Sequence, residues 1–217
     1  MRVLRLVVLV GVLFVQSGRA SAALILVHDN GAPNLPDGLV SDPTFPAQVG
    51  DDFQISQSFG ITRVSWFGAY KGGDQLPDGT DHFSLRFFPF SSPTNPSPTP
   101  LADFTLGNVL RLPTSLTMFA GNPVFAYEAT FPVVDLIAGH YLMSIVNDTT
   151  GTSEQWMWHT HGTAPGSQFW KRSNSGNNWL GPFGTEMSFQ IYAVPEPGTG
   201  AMMGVAGLVV LRRRGRR

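Results

Sequence analysis

The chain has 217 residues, with 14 basic and 15 acidic side chains and no cysteine, so its fold uses neither disulfides nor Cys-ligated zinc. Eight of the basic residues are arginines at the two ends: Arg2, Arg5 and Arg19, and five between 212 and 217. Residues 23–193 therefore hold six basic and fourteen acidic side chains, a net charge of −8. An acidic surface repels phosphate backbones, which excludes nucleic acid as the partner.

Residues 1–22 have the composition of a secretory signal peptide. Two arginines come first, an apolar run extends from Leu6 to Val15, and small residues follow at Ala20, Ser21 and Ala22. This order predicts export by the Sec machinery and cleavage by signal peptidase before Ala23. The apolar run has no amphipathic stripe, which argues against a helix packed on the folded body.

Between Ala23 and Ala193, apolar residues recur with period two in short runs separated by Gly, Pro, Asn and Asp, as is typical of strands. The runs are DFQISQSF, RVSWFGAY, HFSLRFF, VFAYEATF, HYLMSIVN, EQWMWHTH, SQFWKR and EMSFQIYAV. The first three place one apolar set each on a common face: Phe53, Ile55 and Phe59; Val64, Trp66 and Tyr70; Phe83, Leu85 and Phe87. About eight to ten such strands predict an all-β fold, an antiparallel, jelly-roll-like β-sandwich.

The turns between these runs are rich in proline and acidic residues. The segment SSPTNPSPTP, residues 91–100, is too proline-rich for a central strand and is predicted to be a long exposed loop. Two acidic turns carry carboxylates of the kind calcium prefers: Asp29, Asp37, Asp74, Asp78 and Asp81. Their spacing does not fit an EF-hand, and aspartate in turns commonly caps the backbone, so capping and calcium binding both remain open.

Four of the five tryptophans lie within 24 residues of one another: Trp156, Trp158, Trp170 and Trp179. One interpretation places them in the core, where aromatic side chains dominate sandwich packing. The other makes them a ligand-binding platform, on which exposed flat rings stack against sugar units. For Trp156 and Trp158 the core interpretation is favoured. Trp170 and Trp179 flank the polar loop KRSNSGNN, and the alternatives stay open for them.

His159 and His161 in the run WHTHG would share one face of a strand, opposite Trp156 and Trp158. Such a pair can chelate a metal when a third ligand is supplied from elsewhere. The sequence does not place a third ligand beside them, so structural histidines are the favoured interpretation. No cofactor is predicted, with calcium kept as the alternative.

Local catalytic motifs are missing from the sequence. It has no G-x-S-x-G elbow, no cysteine nucleophile, no H-E-x-x-H and no phosphate-binding glycine loop. We therefore predict a protein that is not an enzyme. A secreted carbohydrate-active hydrolase remains an alternative, because paired carboxylates can come from separate strands, with Glu128, Glu154 and Glu186 as the first candidates.

The C-terminal run TGAMMGVAGLVVL, residues 199–211, contains 13 uncharged residues. As a helix it would extend about 20 Å at 1.5 Å per residue, whereas a hydrocarbon core is roughly 30 Å thick. A start near Gly198 and an outward-reaching Arg212 close much of that gap, so we predict a transmembrane helix over about 198–211. The arginines that follow place its far end in the cytoplasm and the body outside.

The order of Val194-Pro195-Glu196-Pro197, a short apolar span and an arginine-rich end with Arg212, Arg213 and Arg214 resembles the PEP-CTERM sorting signal of Gram-negative bacteria that make extracellular polymeric substance. The resemblance implies transit through the inner membrane, recognition of Pro195, Glu196 and Pro197 by an exosortase, a membrane cysteine transpeptidase-like enzyme, and delivery of the body to the surface. More loosely, DDFQIS, ITRVSWFGAY, AGHYLMSIVN and WMWH resemble the β-rich exported domains that precede this signal.

These observations divide the chain into a signal peptide (1–22), an exported body (23–193) and a sorting signal (194–217) with its motif at 194–197, its span at about 198–211 and a basic tail at 212–217. We expect an inner-membrane precursor that becomes a cell-surface or extracellular-matrix protein and binds extracellular polysaccharide without enzymatic activity. A purely structural or adhesive surface module is a further alternative.

Overall fold

The computed structural model describes residues 23–72, 80–118, 121–152, 154–162, 168–173 and 178–194. Within these ranges the chain forms strands and no α-helix, which confirms the predicted all-β fold. The strands are β1 Ile25–Asp29, β2 Gly38–Val40, β3 Gln48–Ile55, β4 Phe59–Lys71, β5 Phe83–Ser92, β6 Asn95–Pro96, β7 Ala102–Gly107, β8 Leu110–Thr117, β9 Pro123–Leu136, β10 Gly139–Asn147, β11 Gln155–Gly162, β12 Phe169–Arg172, β13 Leu180–Phe183, β14 Glu186–Met187 and β15 Phe189–Val194.

Two predicted segments fall outside these ranges. The signal peptide, residues 1–22, and the span at about 198–211 both lie outside the described residues. Within the ranges that are described, none of the chain forms a helix of the length and apolarity that crossing a membrane requires.

The strands form two antiparallel sheets. The first sheet has eight strands in the path β1-β15-β4-β11-β14, with β2 beside β11 and the hairpin β8-β9 beside β4. The second sheet has seven strands in the path β13-β12-β3-β10-β5-β6, with β7 beside β5. Consecutive strands often change sheet, as in β3 to β4, β4 to β5, and β9 to β10 to β11. The sheets therefore close around one core, as in a β-sandwich.

The core is built by the apolar sets that the period-two pattern predicts. Val64, Trp66 and Tyr70 on β4, and Phe83, Leu85 and Phe87 on β5, are all buried, so these two predictions are confirmed. The Phe83 ring joins the sheets, because its centroid lies 5.1 Å from that of Trp66 and 4.9 Å from that of Tyr127 on the first sheet. Edge-to-face pairs of this kind stabilise a core beyond their buried area.

One predicted strand is wrong. The run DFQISQSF was expected to be a single strand with Phe53, Ile55 and Phe59 on one face, but β3 ends at Ile55 and β4 begins at Phe59. The polar residues 56–58 form the turn that takes the chain from the second sheet to the first. The period-two pattern continues through this turn because the last residue of β3 and the first residue of β4 are both apolar and both face the core.

Candidate functional site

Trp156 and Trp158 lie on the core face of β11 and are fully buried. The Trp156 ring meets Phe83 edge to face at a centroid distance of 5.1 Å. The Trp158 indole N–H donates to the Ser188 carbonyl at 3.2 Å. Their core interpretation is confirmed, and a role for either ring as a sugar platform is wrong, because neither presents a face to solvent.

Trp170 and Trp179 lie on the outer face of the second sheet, yet they are also buried, packed with Phe88 and Leu142. The platform interpretation is therefore wrong for these rings too. The Trp179 indole N–H donates to the Ser97 carbonyl at 3.1 Å. Residues 91–100, expected to be an exposed loop, thus supply part of the cover, and β6 within them buries Pro96. Ser97 and its neighbours thus occupy the position beside Trp179 where the platform interpretation placed a sugar.

Arg172 connects this cover to the sheet. Its Nε donates to Gln48 Oε1 at 2.8 Å, and one terminal nitrogen donates to the Pro98 carbonyl at 2.8 Å. The guanidinium also lies 4.4 Å from the ring centroid of Trp179 and 4.8 Å from that of Phe88. Burial lowers the pKa of Arg172 to about 10, so the side chain stays a cation at neutral pH. We call Arg172, Gln48, Phe88 and Trp179 the Arg172 cluster.

An open groove of about 600 Å³ lies beside the Arg172 cluster on the same outer face. Because Phe83, Leu85 and Phe87 face the core, the alternation of β5 turns Ser84 and Arg86 outward into this groove. The polar side chains that line it include Gln48, Ser84, Arg86, Asp103, Thr105 and Asp148. It is the candidate binding site of the body.

The groove carries both donors and acceptors in fixed positions. Arg86 Nε donates to Asp103 Oδ2 at 2.9 Å, and both side chains remain partly exposed. Gln48 is fixed from two sides, because it accepts from Arg172 and donates to Ser144 Oγ at 2.9 Å. The hydroxyl, guanidinium and carboxylate groups that line the groove can hydrogen-bond a polyhydroxylated ligand, while the buried Gln48 amide is occupied by Arg172 and Ser144.

His159 and His161 do not lie in this groove. His159 is buried, its Nδ1 lies 2.9 Å from the Thr160 carbonyl, and burial lowers its pKa. His161 Nδ1 lies 2.7 Å from the Ala32 carbonyl. Both rings therefore have backbone partners, and no set of three metal-ligating side chains occurs in the described part of the chain.

The aspartates weighed as calcium ligands are distributed over different roles. Asp29 accepts from the Gly31 N–H and Asp37 from the Gly38 N–H, each at 2.7 Å, as turn-capping aspartates do. Asp81 lies in a buried network described below. Asp74 and Asp78 lie outside the described residues.

The three candidate glutamates lie on different elements. Glu128 on β9 pairs with Arg63 at 3.3 Å, Glu154 precedes β11, and Glu186 begins β14. None of them is among the groove's lining residues. These three glutamates therefore do not form the pair of carboxylates in the groove that a hydrolase would need.

The described part of the chain also contains buried polar networks that the period-two pattern does not predict, as around Asp81 and Asp51. In one, the Tyr70 hydroxyl donates to Asp81, and Asn147 Nδ2 donates to the same carboxylate at 3.1 Å. Burial raises the pKa of both Tyr70 and Asp81. The period-two pattern could have signalled only Tyr70, because Asp81 and Asn147 lie where strands begin and end.

In the other network, Asp51 stands on the core face of β3 between Val49 and Phe53 and is fully buried. Its carboxylate accepts from the Met187 N–H at 2.5 Å and from Asn30 Nδ2 at 3.1 Å. Because β3 and β14 belong to different sheets, this carboxylate joins them across the core. Burial raises the pKa of Asp51 well above its usual range, and the Met187 N–H offsets part of that effect.

The residues expected to act in sorting lie almost entirely outside the described ranges. Pro195, Glu196, Pro197, Arg212, Arg213 and Arg214 are not described, whereas Val194 is the last residue of β15 and pairs with Gly60. The first residue of the predicted motif therefore belongs to the first sheet.

Comparisons with protein-family models, with curated proteins and with solved structures find no match for this chain. Function has to be argued from the site itself, since a fold alone does not imply an activity.

Proposed function

We propose that this chain is an exported, exosortase-processed surface or extracellular-matrix protein whose jelly-roll-like body binds extracellular polysaccharide and is not an enzyme. Two features of the sequence support export and sorting: the signal-peptide pattern of residues 1–22, and the resemblance of residues 194–217 to the PEP-CTERM signal. The frequent changes of sheet between consecutive strands support the jelly-roll-like arrangement.

The observation that carries the binding part of the proposal is the groove beside the Arg172 cluster. The groove is partly open to solvent, and it offers the Arg86–Asp103 pair together with Ser84 and Thr105. An open groove accommodates the middle of a long polymer, whereas a closed cavity admits only a small molecule or a chain end. Because its charged side chains are Arg86 against Asp103 and Asp148, the groove suits a polymer of neutral sugars better than an acidic one.

The binding test uses the polysaccharide that the producing cells secrete, purified, together with a panel of neutral and acidic polysaccharides. Replacing Arg86 and Asp103 by alanine should weaken binding by about tenfold or more, since two polar contacts of roughly 1 kcal/mol each are lost. The matched control is Arg63→Ala with Glu128→Ala, which removes an ion pair on the first sheet. Equal weakening by both double variants would contradict a groove-specific role.

Failure of the parent chain to bind any member of the panel would remove polysaccharide from the proposal and favour a structural or adhesive module. The burial of all four clustered tryptophans also supports such a module.

The sorting part is tested separately in cells that contain the exosortase. Glu196→Ala, or removal of the five terminal arginines, should leave the protein in the membrane fraction instead of at the surface. Glu128→Ala, an acidic change on the exposed body, serves as the control and should be sorted normally. Unchanged delivery of the Glu196→Ala protein would contradict recognition of the motif.

A further inference from the structure

Both ends of the body leave the sandwich at the same place. β1 pairs antiparallel with β15 so that Ile25 lies opposite Ala193, and Val194 lies opposite Gly60 at the start of β4. The same edge of the molecule contains the end of β9, where Leu136 pairs with Phe59, and the start of β10, where Gly139 pairs with Ile55. We call residues 23–26, 54–61, 133–139 and 193–194 the terminal end.

The terminal end exposes large apolar side chains. Ile25 is 43% exposed, Leu26 47%, Val133 53% and Ile137 70%. A shallow cleft of about 270 Å³ beside Leu26 is lined by the apolar Ile55 and Phe59 and also by the polar Gln54 and Ser56, so the apolar surface is confined to the four exposed side chains. Clusters of exposed apolar side chains on an otherwise soluble domain commonly mark an interaction site.

The terminal end is also nearly free of charge. Asp135 is the one acidic or basic residue in its four ranges, although the body as a whole carries fourteen acidic and six basic residues. His140, the next residue along β10, is held by Asp52, with Nε2 and Oδ2 2.6 Å apart. A surface without charges avoids both repulsion by anionic headgroups and the cost of desolvating ions.

The position of Val194 limits how far this end can lie from the predicted membrane span. Only residues 195–197 separate Val194 from the start of the span at about Gly198. A fully extended chain covers at most about 3.5 Å per residue, so these four steps reach no more than about 14 Å. Val194 is itself held in the first sheet opposite Gly60.

From these observations we propose that the terminal end docks on the lipid surface of the membrane while the precursor is held by its C-terminal segment, with Ile25, Val133 and Ile137 in contact with the lipid. This inference rests on the proposed function, because it requires the span that the sorting signal supplies. The contact presents Pro195, Glu196 and Pro197 at the membrane face, where a membrane-embedded processing enzyme acts.

The absence of cysteine allows one label at a time to be introduced into the full chain. The precursor is reconstituted into vesicles of phosphatidylethanolamine and phosphatidylglycerol, and a fluorophore is attached at Val133→Cys or Ile137→Cys. The matched control is Leu112→Cys on β8, because Leu112 is 51% exposed and Val133 53%. Leu112 pairs with Ala126, seven residues before Val133 along β9, and so lies roughly 23 Å from the nearest residue of the terminal end on that strand.

Lipids brominated near the headgroup should quench the labels at residues 133 and 137 several-fold more than the label at 112. Val133→Asp with Ile137→Asp should lower the quenching of a label at Leu26→Cys, whereas Leu110→Asp with Leu112→Asp should not. Equal quenching at 133, 137 and 112 in a chain that floats with the vesicles would overturn the docking and leave the span intact. A chain that does not float with the vesicles would contradict the span, and the docking with it.

Discussion

Ile25 and Ala193 are backbone partners, although 168 positions separate them in the sequence. The pair joins the first strand of the body, which is at an edge of the first sheet, to its last strand, which lies between β1 and β4. As a result, the predicted signal-peptidase site before Ala23 and the predicted sorting motif that begins at Val194 adjoin neighbouring strands at the same end of the body. Both processing events would then take place at the same end of the folded protein.

Ile25→Cys combined with Ala193→Cys should form a disulfide in the oxidised protein. Directly paired residues of antiparallel strands have Cα atoms about 4.5 or 5.5 Å apart, within the range that a disulfide spans. Closing so long a loop should raise the free energy of unfolding by up to about 5 kcal/mol in the chain-entropy model. Gel mobility with and without reductant measures the bond. Leu26→Cys with Ala193→Cys is the control, because adjacent residues face opposite sides of a strand, and equal oxidation of both pairs would contradict the register.

Tyr70→Phe should lower the free energy of unfolding by about 1.5–3 kcal/mol, the usual range for a hydrogen bond to a charged group. The variant removes the hydroxyl that donates to Asp81 and leaves the buried carboxylate with one donor fewer. Urea unfolding followed by tryptophan fluorescence measures the loss. Tyr192→Phe is the control: its hydroxyl donates to Gln190 at a partly exposed site, so its loss should stay within about 0.5 kcal/mol. Similar losses of unfolding free energy in the two variants would show that the hydrogen bond to Asp81 stabilises the body no more than a partly exposed one does.

Arg172→Lys should destabilise the body by about 1–3 kcal/mol, although the charge is kept. Lysine cannot reach Gln48 and the Pro98 carbonyl together, and it stacks less well on Trp179. Quenching by acrylamide should at the same time increase, because Trp179 loses part of its cover. The control is Lys171→Arg, an exposed neighbour on the same strand whose ammonium lies 4.8 Å from the Phe183 ring centroid. A stable Arg172→Lys protein with unchanged quenching would contradict the role assigned to the Arg172 cluster.

The buried carboxylate of Asp51 should make stability fall as the pH rises. Burial raises its pKa in the folded state above its value in the unfolded chain, so the folded state binds the proton more tightly. This contribution is fully present below about pH 4, the ordinary aspartate value, and is lost as the pH rises through the folded-state pKa.

Asp51→Asn removes this titration, so the difference in unfolding free energy between the parent and the variant should shrink or change sign between about pH 4 and pH 8. The pKa of His28 is lowered by burial and acts in the opposite direction below about 6.5. Since both proteins contain His28, its effect cancels to first order in the difference. Parallel stability curves for the two proteins would mean that the pKa of Asp51 is not raised.

Much of the core is predicted by the sequence. The alternation of Val64, Trp66 and Tyr70, and of Phe83, Leu85 and Phe87, predicted which side chains are buried, since a strand that packs on one side must repeat with period two. The same pattern is misleading at Ser56–Ser58, because the chain passes there from the second sheet to the first while the apolar residues keep their period-two spacing. It also missed β8, where Leu110 and Leu112 are exposed.

The candidate groove was not readable in the same way. Alternation places Arg86 on the outer face of β5, but it does not reveal that Asp103 and Gln48 lie next to it. Those contacts depend on which strands are neighbours: β5 pairs with β7, and β3 pairs with both β10 and β12. The two interpretations of Trp170 and Trp179 stayed open for a related reason, because nothing local in the sequence indicates that the Ser97 carbonyl meets the Trp179 indole or that Phe90 packs on Trp170.

The sequence by itself determined the strand periodicity, the acidity of the body and the order of segments at the two ends, because each of these depends only on residues close to one another in the chain. The tertiary structure alone decided that Ile25 meets Ala193, that Asp51 joins the two sheets and that the outer-face tryptophans are covered. These outcomes depend on pairings between distant strands, which arise from the burial of apolar surface over the whole chain and leave no signal in any short stretch of it.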